Sequence, residues 1–253
     1  MRAVVATRYG SPDVLRVGEV PKPTPGDDEI LVRVRATVVG PPDSATREGR
    51  PFLVRLFSGL RRPAGVPGDV FAGDVEAVGR NVAQFAPGDA VFGTAAPESG
   101  AHAEYLCLPE DAAVAVLPSN VTYGEAAAVC DGGLTAMAFL TDHARLQSGE
   151  SVLVNGASGS VGSAAVQLAS AFGATVTGVC STANVELVRA LGAETVIDYT
   201  VTDFTTTGET YDVVFDAVGK RSFSACKDSL APGGRYLTTV LSARNLLQTA
   251  WTR

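Results

Sequence analysis

Short apolar runs alternate with helical stretches from residue 151 to residue 240, and this alternation limits the fold more than any other feature of the chain. The strand-like runs lie at 151–155, 174–180, 195–198, 212–217 and 235–240. A helix with an apolar face is predicted over 160–172, and Asn184 is placed to cap a second helix that stops at Gly192. Strand–helix–strand repeats at this spacing predict right-handed crossovers and a parallel sheet.

The first part of the chain has the pattern of a small antiparallel domain. Within residues 29–39, apolar and polar side chains alternate between Leu31 and Ala36, as in a half-buried strand. Further short apolar runs lie at 14–20, 70–78, 89–93, 103–108 and 113–117. Glycine, proline and aspartate separate these runs, and many short strands joined by such turns predict a barrel or a sandwich.

Two stretches interrupt or end this strand pattern. Residues 47–67 are rich in Arg, Pro and Gly, and we interpret them either as a surface loop with a short helix or as a flap over a pocket. Helical stretches at 123–129 and 134–146 then mark a change of character. We therefore predict two domains, residues 1–120 and residues 121–253.

Composition excludes several classes of partner. The net charge of −7 gives no bulk positive field, so we expect neither a nucleic acid nor an anionic membrane as partner. No run of about 18 apolar residues is present, so no membrane span is predicted. The four cysteines and two histidines are dispersed along the sequence, namely Cys107, Cys130, Cys180, Cys226, His102 and His143. This pattern predicts reduced thiols in a cytoplasmic protein and no zinc site.

Residues 155–162 form a glycine-rich loop between the first predicted strand of the alternating region and its helix. Its glycines, Gly156, Gly159 and Gly162, are three residues apart. Glycine permits a tight turn, lets the backbone approach a pyrophosphate, and allows a helix to pack closely on a strand. The helix N-terminus adds N–H groups that favour phosphate. The loop therefore predicts a nucleotide site.

The end of the second strand bears on which nucleotide binds. An NAD site usually places an acidic residue there, about 20 residues beyond the loop, to hold the ribose 2′-hydroxyl. Here the strand ends at Ser181 and Thr182, with no acidic or basic neighbour in sequence. Hydroxyl groups can donate to a 2′-phosphate, which favours NADPH over NADH. The alternative is that these two residues only cap the following helix.

Several stretches carry a resemblance to a known family, in the same order along the chain. They are residues 1–5, 9–15, 71–79, 87–93, 103–105, 133–136, 155–162, 191–193, 197–199 and 216–219. With these motifs the chain resembles the quinone oxidoreductase, zeta-crystallin-like branch of the zinc-free medium-chain dehydrogenase/reductase family. The resemblance implies an α/β protein in which a GroES-like β-barrel domain precedes a doubly wound Rossmann sheet that binds NADPH.

The resemblance also implies three groups of cofactor-binding residues. Those expected at the pyrophosphate are Ser158, Gly159 and Val161. Those expected around the adenosine 2′-phosphate are Ser181, Thr182 and Tyr199. Those expected near the nicotinamide are Thr135, Val218 and Gly219. No metal-binding residue is implied.

The chemistry expected from this resemblance is reduction of a quinone or an α,β-unsaturated carbonyl. Without a metal there is no Lewis acid to polarise an alcohol or ketone, so an electron-poor acceptor suits hydride transfer better. The catalytic residues are not assigned. Asp43, Tyr9 and His102 are candidate proton donors, although surface, capping or structural roles are favoured for all three.

Some features depart from the family pattern. Gly40 stands where relatives often carry Asn, and Asp69 lies one place earlier than the acid of relatives. A sheet of this type has six strands, whereas five are predicted before Arg253, followed by a helix over 243–251. We therefore expect a sheet without its last strand, from either a truncated sequence or a naturally short variant.

These departures leave two questions open. The oligomeric state is not predicted, because relatives pair through the edge strand that the sequence lacks. The alternative function is an NADP(H)-binding protein with little or no turnover.

Overall fold

The computed structural model describes residues 1–50, 52–63, 65–96 and 99–240. The chain forms two compact units, Met1–Asp131 and Gly132–Arg253. The division lies within a helix, and the change of sequence pattern lies shortly before it, at residues 118–125. Among the described residues, no helix is both long enough and apolar enough to cross a bilayer.

The first unit is an antiparallel β-domain, as predicted. Its strands are β1 (Arg2–Ala6), β2 (Leu15–Glu19), β3 (Glu29–Thr37), β4 (Val70–Val78), β5 (Ala90–Thr94), β6 (Tyr105–Pro109) and β7 (Val114–Val116). Strands β1 and β2 pair with each other, and the other five form a sheet in the order β6-β3-β4-β5-β7. Ile30 and Val32 of β3 join Phe71 in a fully buried core. Leu31 between them is buried as well, so the period of two in burial holds only over residues 33–37.

Two short helices follow β3, and the first of them was not predicted. Helix α1 (Pro41–Glu48) begins with two prolines, which read as a turn in the sequence but fit the first turn of a helix. It ends at Gly49, whose φ is +61°. A 3₁₀ turn (Phe52–Val54) and α2 (Arg55–Ser58) give the irregular stretch 47–67 its short helical turns.

The two helical stretches predicted after residue 120 are one helix. Helix α3 (Tyr123–Ala138) continues into a π-helical turn at Phe139–His143. Two consecutive glycines inside α3, Gly132 and Gly133, make this single helix look like two in the sequence. Gly132 is required by packing, because a Cβ at this position would lie 2.3 Å from the Ser160 carbonyl oxygen.

The second unit is a parallel α/β sheet, as predicted. Its elements are β8 (Ser151–Asn155), α4 (Ser160–Ala171), β9 (Thr175–Cys180), α5 (Val185–Ala190), β10 (Thr195–Asp198), β11 (Tyr211–Asp216), α6 (Phe223–Cys226) and β12 (Leu230–Thr238). The strand order is β10-β9-β8-β11-β12, with every pair parallel. From β8 the chain adds β9 and β10 on one side of the sheet and then β11 and β12 on the other. Ligands of such sheets bind at the carboxyl ends of the strands where this order reverses, here between β8 and β11.

The core of this sheet explains why its strands are continuous apolar runs. Val152, Val154, Val176 and Phe215 are fully buried, as expected of parallel strands covered on both faces. The last strand is longer than predicted, since it begins at Leu230 and ends at Thr238 rather than covering 235–240. Proline and glycine near its start, together with an irregular register, conceal that part of the strand.

The predicted helix over 243–251, with Ser242 as its cap, lies outside the described residues.

Candidate dinucleotide-binding site

The glycine loop connects β8 to α4 beside the point where the strand order reverses. Gly156 has φ +84°, and a Cβ there would lie 2.4 Å from Val218 Cγ2. A Cβ on Gly162 would lie 2.0 Å from the Gly156 carbonyl oxygen. Both glycines are therefore required by the fold itself, because they let the turn close and let α4 pack against β8.

Gly159 differs from these two glycines. It is the N-cap of α4, with φ −80°, and the nearest atom to a Cβ there would be 3.4 Å away. The fold would tolerate a side chain at this position, so the absence of one leaves the approach to α4 open. The first turn of α4 contains no acidic residue, and its N–H groups lack intrahelical acceptors. These residues fit a pyrophosphate.

The carboxyl ends of β9 and β10 bring a second group of predicted residues together. Asp198 pairs in register with Cys180, and the Tyr199 backbone N–H donates to the Cys180 carbonyl over 3.0 Å. Tyr199 therefore lies beside Ser181, which follows Cys180. The Tyr199 side chain is 59% exposed, so its ring is available for stacking.

Asn184 links this strand end to the glycine loop, and its predicted role is wrong. It occupies the N-cap position of α5, but its side chain makes no capping hydrogen bond. Its Nδ2 instead donates to Ser158 Oγ (3.1 Å) and Ser181 Oγ (3.3 Å). Ser181 likewise makes no side-chain capping bond to the 3₁₀ turn that follows it. The two serines are thus positioned by Asn184, and the capping alternative for Ser181 is not supported.

A carboxylate also lies at this strand end, which corrects the expectation of no acidic neighbour. Thr182 Oγ1 donates to Asp198 Oδ2 over 2.5 Å, and Thr200 donates to Asp198 Oδ1 from N (2.9 Å) and Oγ1 (2.7 Å). The Thr182 hydrogen bond is the largest cause of the lowered pKa of Asp198. The acid comes from β10 rather than β9, so only the register of the parallel strands reveals it.

The turn after β11 is organised by Asp216, a fully buried carboxylate. Its Oδ1 accepts from Asn155 Nδ2 (2.9 Å), from the Val218 N–H (3.1 Å) and from the Gly219 N–H (3.0 Å). These bonds hold the turn after β11 against the end of β8. Gly219 has φ +72°, a conformation that favours glycine. Sequence reasoning did not assign Asp216 or Asn155 a role, although both are polar residues at the ends of buried strands.

Thr135 lies in α3, in the part of that helix that belongs to the second unit. It follows Gly132 by three residues, so both lie on one side of the helix, and Gly132 packs against the start of α4. Val161 lies within the first turn of α4. Ser158, Ser181, Tyr199 and Val218 therefore follow the carboxyl ends of strands β8 to β11, and Asn184 joins Ser158 to Ser181. Thr135 and Val161 are placed only by their positions on helices α3 and α4.

The three candidate proton donors of the first unit all make structural contacts. The Tyr9 hydroxyl contacts Ser58 Oγ (3.0 Å) and donates to the Gly59 carbonyl. Asp43 Oδ2 accepts from the Gly40 N–H (2.8 Å) at the start of α1.

His102 is buried, with Nε2 3.0 Å from the Val38 carbonyl oxygen and 3.9 Å from Asp43 Oδ1. His102 and Asp43 line a cavity of about 490 Å³ in this unit. These contacts support the structural roles that the sequence favours.

The two departures from the family pattern also have local explanations. A Cβ on Gly40 would lie 3.1 Å from Asp131 Oδ1, so glycine at this position leaves room for that carboxylate. Asp69 Oδ1 accepts from Ser99 Oγ over 2.6 Å. Both positions are therefore integrated into the packing of the first unit.

The described part of the chain holds no cluster of three or more His, Cys, Asp or Glu side chains that could ligate a metal ion. Burial raises the pKa of the thiols of Cys107 and Cys226 to about 11.

Comparisons with known proteins agree with this architecture. The family described as "Alcohol dehydrogenase GroES-like domain" matches residues 26–119, and "Zinc-binding dehydrogenase" matches residues 160–246. The chain is 34% identical to the chloroplastic quinone-oxidoreductase QR1 of Triphysaria versicolor, over 100% of this chain and 79% of the relative. It is 37% identical to the 2-methylene-furan-3-one reductase of Solanum lycopersicum, over 87% of this chain and 58% of the relative.

A solved structure shares the fold over nearly the whole chain. It is the Escherichia coli quinone oxidoreductase complexed with NADPH, with a TM-score of 0.82 and 28% identity. The match covers 98% of this chain and 78% of that one.

Proposed function

This chain belongs to the quinone oxidoreductase branch of the medium-chain dehydrogenase/reductase family, and we propose that it uses NADPH, without zinc, to reduce a quinone or an α,β-unsaturated carbonyl. Its similarity to these relatives identifies it as an oxidoreductase that uses a nicotinamide dinucleotide. The observation that carries the finer proposal is the open position at Gly159, above the first turn of α4 and joined to Ser181 through Ser158 and Asn184.

The roles proposed for the residues follow from their positions. Val161 presents its backbone N–H to the pyrophosphate, and Gly159, whose own N–H donates to the Gly156 carbonyl over 3.0 Å, leaves room for the phosphates. Ser181, which accepts from Asn184, offers its hydroxyl proton to the adenosine 2′-phosphate, whereas the Thr182 hydroxyl has to turn away from Asp198 to do so. Tyr199 provides an exposed ring beside them. Val218 and Gly219 form the turn that borders the nicotinamide end. When bound, the dinucleotide supplies a hydride, and the chain supplies its orientation.

The zinc-free part of the proposal is supported by the positions of the usual zinc ligands. The four cysteines and two histidines are dispersed along the sequence. An acceptor that is already electron-poor needs no Lewis acid. The tomato relative is named 2-methylene-furan-3-one reductase, and the substrate in that name is such an acceptor.

The proposed activity is tested with purified full-length chain, NADPH and a panel of quinones, enones and simple ketones. We expect NADPH absorbance to fall with quinones or enones and to remain constant with simple ketones, because the latter need polarisation of the carbonyl. Tight NADPH binding with no turnover on any acceptor would instead support the binding-protein alternative. Stoichiometric zinc in the active protein would contradict the zinc-free mechanism.

Asp198 provides a separate test of cofactor choice. Its carboxylate lies next to Thr182 and would repel a 2′-phosphate bound there. We expect Asp198→Asn to strengthen NADPH binding about fivefold, given that unit charges about 4 Å apart in water interact by about 1 kcal/mol. NADH, which lacks the phosphate, should bind with unchanged affinity.

Glu194→Gln is the matched control for this test. It removes the same charge from the residue just before β10, at the opposite end of the strand. We expect it to leave both affinities unchanged. Equal gains in NADPH affinity from the two variants would show that net charge, and not the site, is responsible. Equal binding of NADH and NADPH by the parent chain would overturn the roles given to Ser181 and Tyr199.

A further inference from the structure

Residues 50–62, here called the arginine-rich segment, differ in charge from the rest of the chain. The segment contains four arginines and no Asp or Glu, in a protein of net charge −7. None of the four arginines forms an ion pair with a carboxylate of the described residues. Arginines that do pair with such a carboxylate are Arg2, Arg35, Arg47, Arg80, Arg189, Arg221 and Arg235. Unneutralised positive charge is therefore concentrated in this segment.

The same segment exposes large apolar side chains. Phe52 is 65% exposed, Leu56 58% and Leu60 62%, and the three recur every fourth residue. A single exposed apolar residue is ordinary on a protein surface, but a group of them marks an interaction surface. Arg55 lies between Phe52 and Leu56 in sequence, and Arg61 and Arg62 directly follow Leu60.

The segment is attached to the first unit by specific contacts. The Tyr9 hydroxyl donates to the Gly59 carbonyl, and Arg55 Nε donates to the Gly49 carbonyl over 3.1 Å. The Arg55 guanidinium lies 4.5 Å from the centre of the Tyr9 ring and 5.6 Å from that of Phe52. These contacts position Arg55 and Phe52 and attach the turn at Gly59 before any partner binds, which lowers the entropic cost of docking.

From these features we infer that the arginine-rich segment docks on an anionic membrane surface. Guanidinium groups bind phosphate through paired hydrogen bonds, and exposed Phe and Leu side chains enter the boundary between headgroups and acyl chains. A protein partner is the alternative occupant, because protein interfaces are also enriched in arginine and aromatic residues. The bilayer is favoured because the segment has four arginines and no carboxylate, a charge pattern that matches anionic headgroups.

The net charge of the chain does not oppose this docking. Exposed charges interact over a Debye length of about 8 Å at physiological salt, so the membrane responds to the segment rather than to the whole chain. Net charge alone predicts no anionic-membrane partner, because it averages the positive charge of the arginine-rich segment with the acidic residues of the rest of the chain. The inference goes beyond the proposed enzyme activity and does not depend on it.

Co-sedimentation of the full chain with vesicles tests the inference. We expect binding to phosphatidylcholine vesicles that contain phosphatidylserine, weakening as salt is raised, and no binding to phosphatidylcholine alone. The Arg61→Gln/Arg62→Gln variant should bind about 25-fold more weakly, because each arginine near an anionic surface contributes about fivefold. Leu56→Ser/Leu60→Ser should also weaken binding, and a Phe52→Trp variant should show a blue shift of its emission on binding.

The matched control is Arg33→Gln/Val201→Ser, which removes one exposed arginine and one exposed apolar side chain outside the segment. We expect it to bind vesicles as the parent chain does, and circular dichroism checks that every variant is folded. Failure of the parent chain to bind anionic vesicles would overturn the inference. Equal weakening by the control variant would also overturn it, as would a dimer in sedimentation that depends on Leu56 and Leu60 in place of lipid binding.

Discussion

Replacing Gly159 with alanine is expected to weaken dinucleotide binding about 100-fold, a loss of about 2.7 kcal/mol, while the protein remains folded. The backbone at Gly159 has φ −80°, which any residue adopts, and the nearest atom to the new Cβ would be 3.4 Å away. The free energy of unfolding should therefore fall by less than about 1 kcal/mol. The Cβ occupies the space through which the loop backbone approaches the pyrophosphate, so the substitution weakens dinucleotide binding and not folding.

Gly162→Ala is the control that separates binding from folding. Its Cβ would lie 2.0 Å from the Gly156 carbonyl oxygen, so α4 must move away from the end of β8. We expect a loss of about 2–4 kcal/mol of unfolding free energy, in the upper range for overpacking. Denaturant unfolding and NADPH titration by calorimetry measure both effects. A Gly159→Ala protein with unchanged NADPH affinity, or one as unstable as Gly162→Ala, would contradict the role given to this glycine.

Most of the sheet could be predicted from the sequence because its physical causes are local. The three central residues of strand β8, 152–154, are buried and form a continuous apolar run, and the loop after the strand carries glycines at fixed spacing. Strand β3 has one buried and one exposed face along part of its length, which gives its alternation. Helix α1 was missed because Pro41 and Pro42 are typical of turns as well as of first helical turns.

The residues that the sequence did not reveal are those whose roles depend on contacts between elements. Asp198 reaches Thr182 only because β10 pairs in parallel with β9 in one register. Asn184 occupies a capping position, and its sequence context predicts a cap, but two serine hydroxyls on neighbouring elements compete successfully for its amide. Local sequence patterns indicate helix and strand propensity and the spacing of residues. These contacts depend on which elements lie side by side in the folded chain.

Asp216 is the clearest example of such a contact, and its removal should have the largest effect on stability. The carboxylate is fully buried and accepts hydrogen bonds from Asn155 Nδ2 and from the N–H groups of Val218 and Gly219. Its other oxygen accepts from the Arg221 N–H (3.2 Å) and the Tyr236 hydroxyl (3.3 Å). Asp216→Ala leaves the Asn155 amide and the three backbone N–H donors without this acceptor, whereas the Tyr236 hydroxyl keeps its bond to the Arg221 carbonyl (3.0 Å). We expect a loss of about 3–5 kcal/mol of unfolding free energy.

Asp216→Asn is expected to cost about 1–3 kcal/mol, because its amide oxygen can keep the bonds to the turn while its NH₂ group faces the Arg221 N–H donor. Asp212→Asn is the matched control on the same strand, since Asp212 Oδ2 accepts from the Ser151 N–H and hydroxyl (both 2.8 Å) at the amino end of the sheet. Both variants should lower stability, but only Asp216→Asn should also weaken dinucleotide binding by the folded protein. Equal NADPH affinities in the two variants, measured where both are folded, would show that the turn at Val218 and Gly219 does not border the cofactor.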